Sequence, residues 1–161
     1  MAKSSISLAI TSLLSVFMAS ATVAQPYPKE LEAVAEADTM IMVPMRDGVR
    51  LATDVYLPKD QEGPFPVVLS KTPYNFNEIR GSTLDQALKF VEAGYAFVVQ
   101  NERGRYYSEG EWEILGNPQT DGWDSISWLA QQEWSNGNVG TLGCSSTAEW
   151  QMALAAQDHP N

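Results

Sequence analysis

From residue 65 onward the chain alternates short, continuous apolar runs with amphipathic segments of helical spacing, and this alternation constrains the fold more than any other feature. The runs are "FPVVLSKTP" at 65–73, "YAFVVQN" at 95–101 and "NVGTLGCS" at 138–145. A strand that is apolar at every position needs cover on both faces. Between the runs, "STLDQALKFVEAG" has an N-cap candidate at Ser82, apolar residues at Leu84, Ala87, Leu88 and Val91, and Gly94 as a stop. "TDGWDSISWLAQQ" sets Trp123, Ile126 and Leu129 on one side, and "TAEWQMALAAQDHP" is a third helix closed by Pro160. The pattern predicts an α/β fold: a mostly parallel sheet with helices on both faces. Right-handed crossovers put the C-terminal ends of the parallel strands along one edge, and ligands bind beyond that edge. The residues to watch are Tyr74, positions 101–108 and positions 144–147.

Ahead of this series, "MIMVPM" and "VRLATDVYLP" flank "RDG". Asp-Gly between apolar runs predicts an antiparallel hairpin with strands Met40–Met45 and Val49–Leu57. Val49, Leu51, Thr53, Val55 and Leu57 then share one face. Residues 25–39 are polar and Pro-bearing, and read as a lead-in; residues 1–24 read as an address. Lys3 precedes the apolar "ISLAITSLLSVFMAS", and small residues in "ASATVAQP" offer cleavage after Ala24 or Ala21, the layout of a secretory signal peptide. The apolar run is barely long enough to span a bilayer and is interrupted by hydroxyls, so the expectation is export to the periplasm or beyond, without a stable membrane anchor.

The segment at 140–155 carries the chemistry. A nucleophile elbow needs a strand, a sharp turn bearing Ser, and an immediate helix, with small neighbours two positions away. Of the candidates, Ser145 alone has Gly two residues before it, at Gly143; Cys144 would have Leu142 there, and Ser146 would have Cys144. Thr147 occupies the place of the second Gly in the common G-x-S-x-G pattern, and Ala148 follows. The plainer alternative is that Ser145 and Ser146 cap the third helix; the strand–turn–helix context favours the elbow. The backbone N–H of Ser146, at the helix start, then faces the position of a tetrahedral oxyanion. A second donor must come from a neighbouring loop. The hydroxyl of Tyr74, in "KTPYN", is able to donate, although the residues alone favour an ordinary aromatic at the rim.

At this point the chain resembles the family of X-prolyl dipeptidyl peptidases, cocaine esterase and α-amino-acid ester hydrolases. The stretches "MRDGVRLATDVYLP", "FPVVLSKTPYN", "GYAFVVQNERGRYYSEG" and "DGWDSISWLAQQEWSNGNVGTLGCSS" carry the resemblance, in order, over most of the chain. It implies an α/β-hydrolase domain, of which 40–161 is the N-terminal portion, preceded by the hairpin. It implies Ser145 as nucleophile, with Tyr74 as the side-chain oxyanion donor beside the Ser146 N–H. Two positions depart from the family pattern: Ser146 stands where Tyr is common, and Ala148 where Gly is common. The backbone donor survives the first change; the second alters helix packing. The family spans peptidases, esterases and acylases, so the substrate expected is a small-molecule or peptide acyl compound of unspecified kind.

A serine nucleophile needs a His base oriented by a carboxylate, and in α/β-hydrolases these follow the serine in chain order. Only Asp158 and His159 are available, at the far end of the third helix. That helix carries His159 roughly 18 Å from the active edge, where the C-terminal dipole favours it. Asp121 and Asp124 precede the nucleophile and start a helix. The reading is therefore of a truncated chain, an N-terminal fragment inactive by itself. The alternative is a non-catalytic exported binding module derived from the hydrolase fold.

The rest of the composition closes off other functions. The chain has 161 residues with 20 acidic against 10 basic, a net charge of −10, and no basic cluster, which excludes a nucleic-acid binder. One His and one Cys offer almost no ligands for a zinc site, and no cofactor is expected. Cys144 reads as a buried, inert residue. In "NERGRYYSEGEW", Arg103 and Arg105 are expected to pair with Glu102, Glu109 or Glu111 and so shape the loop. The tryptophans read as core or rim packing.

Overall fold

The computed structural model describes residues 27–76, 79–114 and 117–161. The signal-peptide reading of residues 1–24 falls outside these. A short helix α1 (Lys29–Val34) leads into β1 (Ala35–Pro44), followed by β2 (Arg50–Pro58), β3 (Phe65–Thr72), α2 (Gly81–Glu92) and β4 (Ala96–Asn101). A π-helical turn at Pro118–Gly122 then opens α3 (Trp123–Ala130), before β5 (Ser135–Thr141) and α4 (Ser146–Ala155). Among the described residues no helix is long and apolar enough to cross a membrane.

The five strands form one sheet in the order β1-β2-β4-β3-β5. β3 pairs parallel with both β4 and β5, whereas β2 pairs antiparallel with β1 and β4. The expected α/β architecture is therefore present: a parallel unit of three strands to which the hairpin adds. The hairpin turn lies at Arg46-Asp47-Gly48, where Gly48 takes φ +86° and its N–H donates to Met45 O.

Each face of the sheet has its own core. On one, Val68, Phe97 and Val99 meet Leu31 of α1 and Ala87 and Val91 of α2. On the other, Val67, Leu69 and Val98 meet Ile126 and Leu129 of α3 and Trp150 and Leu154 of α4. Every residue of β4 is buried, as its continuous apolar run requires.

Several local expectations are corrected. β1 begins at Ala35 rather than Met40, and a bulge between Asp38 and Ile41, with Met40 at φ +60°, gives it room to do so. β2 has no solvent face. Ala52, Asp54 and Tyr56 are as buried as Leu51, Thr53 and Val55, because the sheet is covered on both faces: Tyr56 packs with α1 and α2, and Val55 with α3. Ser82 lies within the first turn of α2 rather than capping it; the cap position is Arg80. α4 stops at Ala155, short of Pro160.

The bulge depends on a buried carboxylate. Asp54 Oδ1 accepts the Met40 N–H at 2.7 Å, and Asp54 is only 5% exposed. Burial raises its pKa to about 6 from the ordinary 3.8. A carboxyl raised in the folded state stabilises the fold fully below its unfolded pKa, and that contribution is lost as pH rises through the folded one. Asp54→Asn should therefore flatten the pH dependence of stability between about pH 4 and pH 6, and urea denaturation across that window would measure it. An unchanged slope would show that the carboxyl titrates normally.

Candidate active site

The site forms where β5 turns into α4. The β3–β5 ladder ends at Leu69↔Thr141, and Leu142 N donates to Leu69 O at 2.9 Å. The chain then reverses through Gly143, Cys144 and Ser145. Ser145 has φ +52° and ψ −136°, a backbone region that costs a side-chain-bearing residue about 1–3 kcal/mol. Gly143 is required by contact. A Cβ there would lie 2.5 Å from Thr147 O and 2.7 Å from Thr147 Cγ2. The small-neighbour condition read from the sequence is thus a physical close approach between the turn and the first turn of α4.

The first amides of α4 are distributed unevenly. Thr147 N donates to Cys144 O, and both Ala148 N and Glu149 N donate to Ser145 O. The Ser146 N–H and the Ser145 hydroxyl make no hydrogen bond with a described residue, so Ser145 does not cap the helix with its side chain.

Facing this turn is the end of β3. Pro73 stops the strand, and the turn it begins is held by three bonds from its surroundings. Asn101 Nδ2 donates to Tyr74 O at 2.8 Å, Arg105 Nε donates to Pro73 O at 2.9 Å, and the Tyr74 N–H donates to Thr72 Oγ1 at 3.2 Å. Tyr74 is about half exposed. Tyr74 and Ser145 line the same crevice, of about 250 Å³, together with Thr72, Phe76, Gln86 and Thr147. Ser146, the first residue of α4, lines a separate small hollow with Pro73, Glu102 and Trp112. The three residues singled out in the sequence are thus brought to one edge of the sheet.

Other expectations are overturned. Cys144 is exposed, because β5 ends three residues earlier and the cysteine sits in the turn. Arg103 does not pair with the acids of its own loop. It is clamped between Asp121, at 2.7 Å, and Asp47 of the hairpin turn, at 2.8 Å. Glu109 instead takes Arg50, and Asp124 takes Arg46. Arg105 lies over the rings of Tyr106 and Trp112. Charges adjacent in sequence point to different sides of this loop, which ties the hairpin to the π-helical turn. Asp121 lies in that turn and Asp124 in the first turn of α3.

His159 is not at a helix terminus. It lies four residues beyond α4 and folds back on α3, with its ring 4.2 Å from that of Trp123. Its Nδ1 accepts the Asn161 N–H, so Nε2, at 2.9 Å from Ser127 Oγ, carries the proton. Burial lowers its pKa. The chain's one histidine is therefore held outside the crevice of Ser145, and among the described residues no cluster has the ligands for a metal ion.

A buried polar network behind the crevice is absent from the sequence reading. Lys71 is 2% exposed, and its Nζ donates to Gln100 Oε1 at 2.8 Å; burial pushes the amine down to about 8. Gln100 Nε2 donates to Thr53 Oγ1, and Ser125 Oγ lies 2.7 Å from Gln100 Oε1. The signal was available: Lys71 sits in register with Phe65, Val67 and Leu69 on one face of an apolar strand.

A mixed sheet with helices on both faces, and a serine in a strained strand–turn–helix, define an α/β-hydrolase domain. A family model described as X-Pro dipeptidyl-peptidase (S15 family) matches residues 47–161, and the chain belongs to that family. It is 45% identical over 119 residues to the cocaine esterase of Rhodococcus sp. (strain MB1 Bresler), a match that covers 71% of this chain and 21% of that one. Among solved structures, an α-amino acid ester hydrolase is similar with a TM-score of 0.69 and 30% identity, over 93% of this chain and 27% of that chain. A CocE/NonD family hydrolase from Staphylococcus aureus also has a TM-score of 0.69, with 28% identity over 78% of this chain and 26% of its own. The chain thus spans about a fifth of the length of its esterase relative.

The elbow makes two opposite stability predictions. Gly143→Ala should destabilise by about 1–3 kcal/mol, since its methyl meets backbone rather than a movable side chain. Ser145→Gly should be more stable than Ser145→Ala by about 1 kcal/mol, because glycine relieves the positive φ. Denaturant titration of the three variants tests both, and equal stability of the two Ser145 variants would remove the strain.

Proposed function

We propose that this chain is the N-terminal portion of an exported serine hydrolase that cleaves an acyl bond, in a peptide, ester or amide, through an acyl-enzyme on Ser145. The observation that carries the reading is the conformation of Ser145: a strained turn residue that lines the crevice and makes no side-chain cap to α4. In this scheme Ser145 Oγ loses its proton to a general base and attacks the carbonyl carbon. The oxygen that gains charge accepts hydrogen bonds from the Tyr74 hydroxyl and the Ser146 N–H. Collapse of the intermediate expels the leaving group with a proton, and water then releases the acyl group from Ser145. The base and its carboxylate come from polypeptide outside this chain. Support for that lies in the placement of His159 on α3 and in the small share of its relatives that the chain spans. The 161-residue chain alone is accordingly inactive.

The test is a fluorophosphonate probe on the full-length gene product, with the labelled peptide identified by mass spectrometry. Labelling should fall on Ser145 and vanish in Ser145→Ala. Tyr74→Phe should lower kcat by about 10²–10³ with a small change in KM, the expected cost of one oxyanion donor. Labelling that survives Ser145→Ala would defeat the assignment of the nucleophile, whereas no labelling of the unmodified full-length protein would favour a non-catalytic module.

A further inference from the structure

The two donors assigned to the oxyanion belong to separate elements, Tyr74 to the turn after β3 and Ser146 to the start of α4. An oxyanion site works only if such donors are held within tenths of an ångström of one another. The β3–β5 ladder does not provide this, because it ends at Leu69↔Thr141, before either turn begins. On the face away from the crevice, Trp150 Nε1 donates to Lys71 O at 3.1 Å and ties α4 to β3. Thr141 Oγ1 of β5 also donates to Gln151 Oε1 of α4 at 2.8 Å, but neither bond reaches the turn that carries Tyr74.

A further tie, on the crevice side, does reach it. Thr147 Oγ1 lies 3.3 Å from Thr72 Oγ1, and the same Thr72 oxygen accepts the Tyr74 N–H at 3.2 Å. The bonds run without a break from the backbone of Tyr74, through two hydroxyls, to the residue two places after Ser145. Thr147 is also the residue whose carbonyl closes on Gly143. Thr147 is therefore held on two sides, its backbone against the turn that bends Ser145 and its hydroxyl against the residue that caps the turn presenting Tyr74. The common G-x-S-x-G pattern places a glycine here, which has no hydroxyl to offer.

We infer that Thr147 is a positioning residue: through the Thr147–Thr72 hydroxyl bridge it sets the spacing between the Tyr74 donor and the elbow. The inference rests on the acyl-enzyme reading above, and its test separates the two. Thr147→Val removes the hydroxyl while keeping the shape, and Thr147→Ser keeps the hydroxyl. In the full-length protein, Thr147→Val should lower kcat roughly ten-fold with KM within about two-fold, while Thr147→Ser stays close to wild type. The decisive comparison is a double-mutant cycle. If Thr147 acts by placing Tyr74, then Thr147→Val combined with Tyr74→Phe is no slower than Tyr74→Phe alone. Additive losses, or a Thr147→Val enzyme as fast as wild type, would overturn the bridge while leaving Ser145 as nucleophile. Fluorophosphonate labelling that persists in Ser145→Ala would overturn the reading beneath it. Should Thr147→Val fail to fold, Thr72→Val breaks the same bridge from the opposite side, and the same cycle with Tyr74→Phe decides.

Discussion

The close approach of residue 143 to Thr147 is the contact on which the rest of the site depends. With no Cβ at Gly143, the backbone leaving β5 passes against the first turn of α4 and reverses within three residues. That reversal forces Ser145 to φ +52°. The helix that follows starts at Ser146, whose N–H bonds to none of the described residues, and runs back along the sheet. The strained serine, the position of the Ser146 N–H and the direction of α4 are thus consequences of one steric condition. The strain, about 1–3 kcal/mol, needs an opposing term of similar size. Trp150 is 1% exposed and bonds to Lys71 O. A large side chain buried to that degree contributes about 1.5–3 kcal/mol, and its hydrogen bond about 1. One turn of helix beyond the elbow is therefore enough to hold the serine where its own backbone preference would not.

The alternation of apolar runs and amphipathic segments was sufficient for the sheet, its helical cover and the edge at which the site lies. Backbone pairing and burial are period-driven, and the periods are written in the sequence. The elbow register was legible for the same kind of reason: Gly143 reflects a local contact between neighbours in the chain. Tyr74 was different. Its residue type and place after a strand fit a rim aromatic as well as an oxyanion donor, and only resemblance to a family favoured the donor. What the sequence hid depends on partners far apart in the chain. Arg103 reaches Asp47, 56 positions before it (103 − 47), rather than the acids beside it. Cys144 looked buried because an apolar run was extended three residues past the true end of β5. His159 lies beyond a helix that stops at Ala155, although the apolar spacing alone carries that helix to Pro160.

The buried polar groups at the C-terminal ends of β3 and β4 explain how a loop-built site becomes rigid. Gln100 and Asn101 end β4 and are almost fully buried, yet each sends its amide to a neighbour: Gln100 to Thr53 and Lys71, Asn101 to the Tyr74 carbonyl. An apolar pair at these positions would pack as well but would leave the turn after Pro73 to find its own conformation. Buried hydrogen bonds contribute little net stability, about 0.5–1.5 kcal/mol each, but leaving one unmade costs more. They are thus better suited to selecting one arrangement than to stabilising the fold, and a reactive edge needs that selection.

The ionic clamp sits beside the crevice and not within it. Arg103 and Asp121 are buried together, and desolvating two charges offsets much of their attraction. What the pair supplies is connection: the hairpin turn through Asp47, the loop after β4 through Arg103 itself, and the π-helical turn through Asp121. Arg105, two residues on, then carries that fixed loop to the Pro73 carbonyl. The crevice wall bearing Tyr74 is therefore anchored to the antiparallel hairpin at the opposite side of the sheet. The hairpin thereby becomes part of the support of the site as well as an extension of the sheet.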